Sequence, residues 1–379
     1  MTGKPRIGFY CSSKSYGGLE INIIRILEWL AERDWDITIF GLQDTPFTEN
    51  ALRRNLKVIF VKNNRKYADI KAAGRLNNLL RNEQINILFV GTNKDISLGS
   101  LIKAYFKKDL KLIYHQQMQI GVRKSDLLHT WRFSYLNAWI SPLEFLANEI
   151  VKLTRFNPDK IRIIPLCIDS KIFSESDLTR KEAREMLNLP NDRKILGILG
   201  RIDPQKGQKF LVQAVHKLKE QNIEIDLLIM GAVTMNTTND YFNELKQLVA
   251  EYGLEDQIHF RPFSDDTVQF YKAIDLFAMA TDRETFGMVT IEAMASGVPV
   301  IGNNSGGTTE ILGNGKLGTL YKPGNLEDFS EKLVGFVKQP AIWKETSQQA
   351  QVEACEKYDK STECTGFEKL ILELQSGKK

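Results

Sequence analysis

The sequence predicts an α/β chain built as two doubly wound parallel-sheet domains separated by a cleft. Three observations lead there. Short β-branched runs alternate with longer stretches of helical period, the signature of parallel sheets covered by helices. The alternation lapses over residues 167–192 and then starts afresh. The 379 residues suffice for two or three domains with sizeable cores.

In the first half, strand signals fall at residues 6–11, 36–40, 57–61, 86–90, 111–115, 138–141 and 161–166. After the first of them, Ile23, Ile26, Leu27 and Leu30 recur at three- and four-residue spacing, giving one buried face to a helix over 19–32. In the second half the strands are 195–200, 226–230, 257–260, 276–280 and 298–301, with helices near 208–220, 241–252, 265–273 and 286–296. Residues 167–192 carry Asp169, Ser170, Ser174, Ser176, Pro190, Asn191 and Asp192, which suit a linker holding one short helix. A helical segment over 340–375 ends the pattern. The expected division is a first domain at 1–168, a linker at 169–190, a second domain at 191–355, and a terminal helix at 356–379 crossing back toward the first domain.

Composition narrows the classes. Apolar residues at 42% and charged residues at 26% exclude a disordered or fibrous chain. Apolar runs reach about five residues where a membrane span needs about 20. Residues 1–11 lack a secretory apolar core. Cys11, Cys167, Cys355 and Cys364 lie far apart without a C-x-x-C pair, so a reducing cytosol and no structural metal are expected. The net charge of +4 hides a division: residues 1–165 hold 26 basic and 15 acidic residues, a net of +11, against −7 for the remainder. That asymmetry points the first half at an anionic surface or substrate.

In doubly wound sheets ligands sit at the carboxyl ends of strands, so chemistry is sought in strand-end loops. The first strand runs into Tyr16-Gly17-Gly18-Leu19-Glu20, where Gly17 and Gly18 let backbone N–H groups approach an anion at a helix start. The loop is not G-x-G-x-x-G, which argues against a nicotinamide or flavin site. In Gly200-Arg201-Ile202-Asp203-Pro204-Gln205-Lys206-Gly207, Arg201 and Lys206 can clamp a diphosphate, one with paired donors and the other as a point charge. Further on, Glu284 precedes a helix and Glu292 lies inside it, beside the amides of Phe286, Gly287, Met288 and Val289. Glu292 is out of place among Ile291, Ala293, Met294 and Ala295; a buried acid needs partners, and a polyhydroxylated ligand would supply them.

Gly200–Gly207 read as G-R-x-x-x-x-K-G, the E-x7-E of Glu284 and Glu292, Glu-Ala-Met-Ala-Ser-Gly-Val-Pro-Val, and Gly306-Gly307-x-x-Glu310 together resemble the retaining, family 4 "group 1" glycosyltransferases. The resemblance covers nearly all of the second domain and extends to Gly17-Gly18-Leu19-Glu20. It implies a GT-B fold with two Rossmann-like domains, and metal-independent transfer with retention from a nucleoside-diphosphate sugar carrying uracil or guanine. By the same resemblance Arg201 and Lys206 hold the diphosphate, and Glu292 binds the ribose. Glu284 holds hydroxyls of the transferred sugar with the amides of Phe286, Gly287 and Met288, Val289 completing the donor set. Gly17 and Gly18 bring the first domain to the phosphate, and the strand-end His115 stands near the donor sugar. There is one departure: Gly231-Ala232-Val233 replaces a Gly-x-Gly turn, and nothing in Arg261-Pro262-Phe263 distinguishes the base.

No cofactor or metal is expected, since no D-x-D pair ends a first-domain strand. The expected acceptor is a glycan or lipid-linked hydroxyl met by the basic first domain, as in cell-surface polysaccharide or glycolipid synthesis. The location is cytoplasmic, with peripheral contact to anionic membrane. Arg53, Arg54, Lys57, Lys62, Arg65 and Lys66 form one basic cluster; Lys103, Lys107, Lys108 and Lys111 begin another. The latter continues through Arg123 and Lys124 into a helix over 126–136 whose Leu127, Leu128, Trp131 and Tyr135 share a face beside Arg132. No nucleic-acid motif is present. The rival classes are a nucleotide-sugar epimerase or hydrolase of the same architecture, a soluble small-molecule transferase, and a non-catalytic sensor.

Overall fold

The computed structural model describes residues 4–233 and 240–376. Among them, seven strands form the first sheet: β1 (Ile7–Cys11), β2 (Ile37–Leu42), β3 (Lys57–Val61), β4 (Ile87–Val90), β5 (Lys111–His115), β6 (Ala138–Ser141) and β7 (Ile161–Ile163). All pair in parallel, in the order β3-β2-β1-β4-β5-β6-β7. The order reverses between β1 and β4, and a crevice opens at such a switch point. Strands β1, β2 and β4 are buried at every position, hence their near-continuous apolar runs. The helix Gly18–Ala31 buries Ile23, Ile26, Leu27 and Leu30 as its periodicity requires.

The second sheet contains β8 (Ile195–Leu199), β9 (Asp226–Met230), β10 (Ile258–Arg261), β11 (Leu276–Met279), β12 (Val300–Asn303) and β13 (Thr319–Tyr321), again parallel, in the order β10-β9-β8-β11-β12-β13. Its switch point lies between β8 and β11. The three-residue β13 is not among the strands that the sequence predicts. The strand expected at 298–301 is displaced to Val300–Asn303: Gly297 takes a left-handed φ of 72°, and Pro299 has no N–H to give. The helix expected from 265 begins at Val268: Ser264 accepts the Asp266 N–H in the preceding turn, and Asp266 accepts the N–H of Val268 itself.

The chain divides into two units, one of residues up to Leu166 together with those from Lys360 on, the other Cys167–Asp359. Residues 169–190 are therefore not a bare linker. They hold two helices, Ser170–Ser174 and Arg180–Met186, and belong to the second unit. Arg184 explains this: its fully buried guanidinium bonds Asp275 at 2.7 Å and the carbonyls of Ala273, Pro190, Asn191 and Arg193. In the first unit the helix Lys360–Ser376 sets Phe367 against Phe89, 5.3 Å between ring centres. Glu368 there pairs with Arg33 at 3.2 Å and accepts from the Trp35 indole at 3.0 Å. The last three residues of the terminal helix expected over 356–379 lie outside the described residues. Among the described residues no helix is long and apolar enough to cross a membrane.

Candidate active site

In the second unit the loop after β8 is folded back by Asp203, whose carboxylate accepts the Gln205 N–H at 3.0 Å. Gly207 follows at φ 82°, and a Cβ there would lie 2.5 Å from the Ala280 carbonyl oxygen, so the loop seats against the end of β11 only with glycine. The close approach sets Lys206 beside Glu284, Nζ to Oε2 3.0 Å, both half-buried. The second Glu284 oxygen accepts the Thr285 N–H at 3.1 Å, and its carbonyl accepts the Gly307 N–H at 2.9 Å. Gly306, at φ 58°, must also be glycine, because a Cβ would come 2.5 Å from that carbonyl. Arg201 has its backbone carbonyl held by the Gln208 side chain at 2.8 Å, while its guanidinium is exposed and meets no described partner.

The helix expected over 286–296 spans Met288–Ala295. Phe286 is buried edge-on to Tyr358, and Gly287 takes a left-handed φ of 93°, so their amides belong to the turn ahead of the helix. Met288 and Val289, half-buried, form its first residues. Glu292 is buried, as its apolar neighbours imply, but the protein itself supplies a partner. The Tyr271 hydroxyl donates to Glu292 Oε2 at 2.9 Å and lies 3.1 Å from the Val289 carbonyl. Burial first, then the Glu292 charge, push the Tyr271 phenol well above its usual value, so it remains a donor.

In the first unit Gly17 precedes the helix Gly18–Ala31, and its N–H bonds Glu20 Oε2 at 2.8 Å; Ser13 donates to the other oxygen of Glu20. Across the switch point, Ser12 donates to the buried Asp95 through both its hydroxyl, at 2.5 Å, and its N–H, at 3.2 Å. An open crevice of about 510 Å³ at the ends of β1–β3 is lined by Lys14, Asp44, Thr45, Lys62 and Asn63 among others. His115 ends β5 fully buried, edge-on to Phe367, with no described hydrogen-bond partner for either ring nitrogen. Burial holds its pKa down to about 3, so the imidazole is neutral near pH 7.

The basic surface expected on this unit is smaller than its sequence suggests. Arg54 and Lys57 are paired with Glu28 and Glu83. The helix over 126–136 spans Leu127–Ser134, and Arg132 is fully buried rather than lying beside an apolar outer face. Leu127 and Leu128 are exposed, while Trp131 and Tyr135 pack partly against the core.

Residues 179–354 match the family model of glycosyl transferases group 1, and residues 16–171 match that of glycosyltransferase family 4. The chain belongs to the group 1, family 4 glycosyltransferases. Among curated relatives of this family member, the D-inositol 3-phosphate glycosyltransferase of Stackebrandtia nassauensis is 33% identical over 193 residues, 49% of this chain and 43% of the relative. The enzyme of the same name from Acidothermus cellulolyticus is 31% identical over 180 residues, 46% of this chain and 40% of the relative. The chain thus spans less than half the length of the curated relatives it matches. In fold it is similar to Anabaena HepE crystallised in complex with UDP, with a TM-score of 0.85 at 20% identity, covering 97% of this chain and 99% of that one. A glycosyltransferase from Rickettsia africae gives 0.87 at 18% identity, covering 98% and 99%. The two Rossmann-like units are those of the GT-B class.

Within this family member the second unit brings Lys206 and Glu284 together at the β8/β11 switch point, with Arg201 on the same loop as Lys206 and Glu292 inside the helix that follows Glu284. Sequence reasoning missed Tyr271, which sits in a short helix with nothing in its own spacing to link it to Glu292. It also missed Asp95, although an acid directly after the strand-end run Gly91-Thr92-Asn93-Lys94 was a usable signal.

Proposed function

We propose that this chain transfers a sugar from a nucleoside-diphosphate sugar to an acceptor hydroxyl, with retention and without a metal. The observation that carries the reading is the 3.0 Å juxtaposition of Lys206 and Glu284 at the β8/β11 switch point. It sets a cation for a leaving diphosphate next to a carboxylate that can accept from sugar hydroxyls. Arg201 extends the cationic side, and Glu292, held by Tyr271, presents a buried acid to a ribose diol. As the glycosidic bond breaks, negative charge grows on the leaving phosphate. Fixed cations and amides stabilise it without reorganising, which is how such groups lower a barrier. The acceptor hydroxyl enters on the face that the diphosphate leaves, and that diphosphate takes its proton.

The names of the inositol-phosphate relatives and the UDP complex of HepE support a uridine donor and a soluble small-molecule acceptor. The net charge of +11 in residues 1–165 keeps a lipid-linked acceptor at a membrane surface as the second reading. A screen of UDP- and GDP-sugars, with products analysed with and without candidate acceptors, tests both. Glycoside formed only with acceptor is the expected result. Donor isomerised or hydrolysed at the same rate without acceptor would replace transfer by epimerase or hydrolase chemistry.

A further inference from the structure

Arg132 is the largest unexplained group in the first unit. It is fully buried, yet among the described residues neither Nε nor Nη1 has a hydrogen-bond partner. Only Nη2 is engaged, by the carbonyl of Asn93 and, at 3.4 Å, its side-chain oxygen. A buried charge left this way is costly unless something else meets it. The Tyr67 and Phe133 rings face the guanidinium, but the charged groups nearby are mainly further cations. The Tyr67 ring lies 5.3 Å from the Arg132 guanidinium carbon and 5.1 Å from Lys66 Nζ, so two cations share one aromatic ring. Lys124 is close enough that, after burial, the charges of Arg132 and Lys66 are what hold its ammonium below the usual lysine value. The carboxylate whose charge reaches Arg132 is Asp126, and it is already engaged by the N–H of His129 at 3.0 Å and its ring at 2.6 Å.

These groups come from the loops after β3, β4 and β5 and from the helix Leu127–Ser134 that follows the last of them, on the carboxyl side of the strands where a ligand of this unit is expected. We propose that Arg132, Lys124 and Lys66 form a binding site for a phosphate monoester carried by the acceptor, with the Tyr67 ring as the movable cover of Arg132. This rests on the transferase reading above and specifies the class of acceptor: a phosphorylated polyol or sugar, or a lipid with a phosphate-monoester headgroup. Arg132 keeps its Nε and Nη1 donors free for phosphate oxygens, and the two lysines balance the remaining charge. Because Arg132 has no exposure, the Tyr67 ring swings away as the phosphate enters.

The test uses the full chain carrying Arg201→Ala and Lys206→Ala, which removes the donor diphosphate clamp as a competing phosphate site. Inorganic phosphate, D-inositol 3-phosphate and vesicles containing phosphatidic acid are each titrated against chloride controls of equal ionic strength. Thermal melting reads the first two, and flotation reads the vesicles. Phosphate or the inositol phosphate should raise the melting temperature by about 2–4 °C near saturation, or the phosphatidic acid vesicles should retain the chain. Adding Lys66→Ala and Lys124→Ala, or separately Arg132→Lys, should cut the apparent affinity at least about tenfold. The soluble and vesicle arms separate the two sources of the phosphate. No response to any of the three probes, or a response unchanged in the Lys66/Lys124 and Arg132→Lys variants, overturns the proposal. UDP stabilisation of the wild-type chain, read in the same assay, stands or falls with the donor site alone, so failure of the transferase reading is seen separately.

Discussion

The Tyr271 hydroxyl donates to Glu292 Oε2 at 2.9 Å, joining a buried aromatic of one helix to a buried acid of another. Tyr271→Phe removes a donor to a charged acceptor and leaves the cavity shape almost unchanged. The expected loss of stability is about 1.5–3 kcal/mol, the size of a hydrogen bond to an ionised group. UDP affinity should fall with it while the sugar preference stays the same. Urea unfolding and calorimetry with UDP measure the two; unchanged UDP binding would detach Glu292 from the nucleotide.

Lys206→Ala and Arg201→Ala should each cost on the order of 2–4 kcal/mol in kcat/KM, the size expected for one preorganised charge-stabilising donor. Because Lys206 is paired with Glu284, Glu284→Gln also frees the lysine. That variant should keep UDP bound nearly as before and lose discrimination among donor sugars. Steady-state rates with several UDP-sugars, beside UDP calorimetry, separate the roles. Wild-type rates in the lysine and arginine variants would remove them from the diphosphate.

On the proposed function, in which Arg201 and Lys206 neutralise the leaving diphosphate, transfer should survive EDTA. The rate with and without chelator decides it: complete loss that added Mg²⁺ restores would reject metal-independent transfer.

His115 gives a pH signature. Its folded pKa of about 3 lies below the 6.5 of the free side chain, so the unfolded chain takes up the proton first as pH falls. Its contribution is flat above 6.5, is lost between 6.5 and about 3, and changes by about 1.4 kcal/mol per pH unit inside that window. His115→Phe should flatten this part of the profile in urea titrations from pH 7 to pH 4. An unchanged slope would mean that the imidazole is protonated in the folded state.

Arg184→Ala should be among the most damaging substitutions far from the candidate site. It leaves Asp275, only 9% exposed, with the exposed Arg180 as its remaining cation and strips four carbonyls of their donor, so the expected cost is about 3 kcal/mol, the low end for breaking a buried pair. Arg184→Met, which keeps the volume, leaves the same acid exposed to the same loss and should be only modestly better. Melting curves of both variants check this, and near-wild-type stability in either would remove Arg184 as the anchor of residues 169–190.

Wherever a pattern was long and local, the sequence disclosed the structure. The strands 57–61, 111–115, 138–141 and 226–230 and the helix at 208–220 appear with the bounds their periodicity implied. Residues 169–190 were misread because their polar composition is that of a linker, and nothing local announces that Arg184 will find Asp275 some 90 positions later. Lys206 and Glu284 were legible because G-R-x-x-x-x-K-G and E-x7-E together resemble a known family; alone, the basic loop reads as a solvated one. Tyr271 and Arg132 were not, since burial of a polar group is decided by tertiary neighbours. An arginine next to apolar residues reads as a surface cation until the fold closes over it.

The helix Lys360–Ser376 packs into the first unit, although the whole of the second unit separates it in sequence from the sheet it covers. On the ribosome this imposes a waiting time. At roughly 5–20 residues per second, making residues 167–359 takes on the order of 10–40 s. Throughout that interval the surface around Phe89 and His115 has no Phe367 to cover it. The nascent first unit must therefore be guarded by chaperones or tolerate a bare apolar flank, whereas the second unit, contiguous in the chain, can finish folding before it.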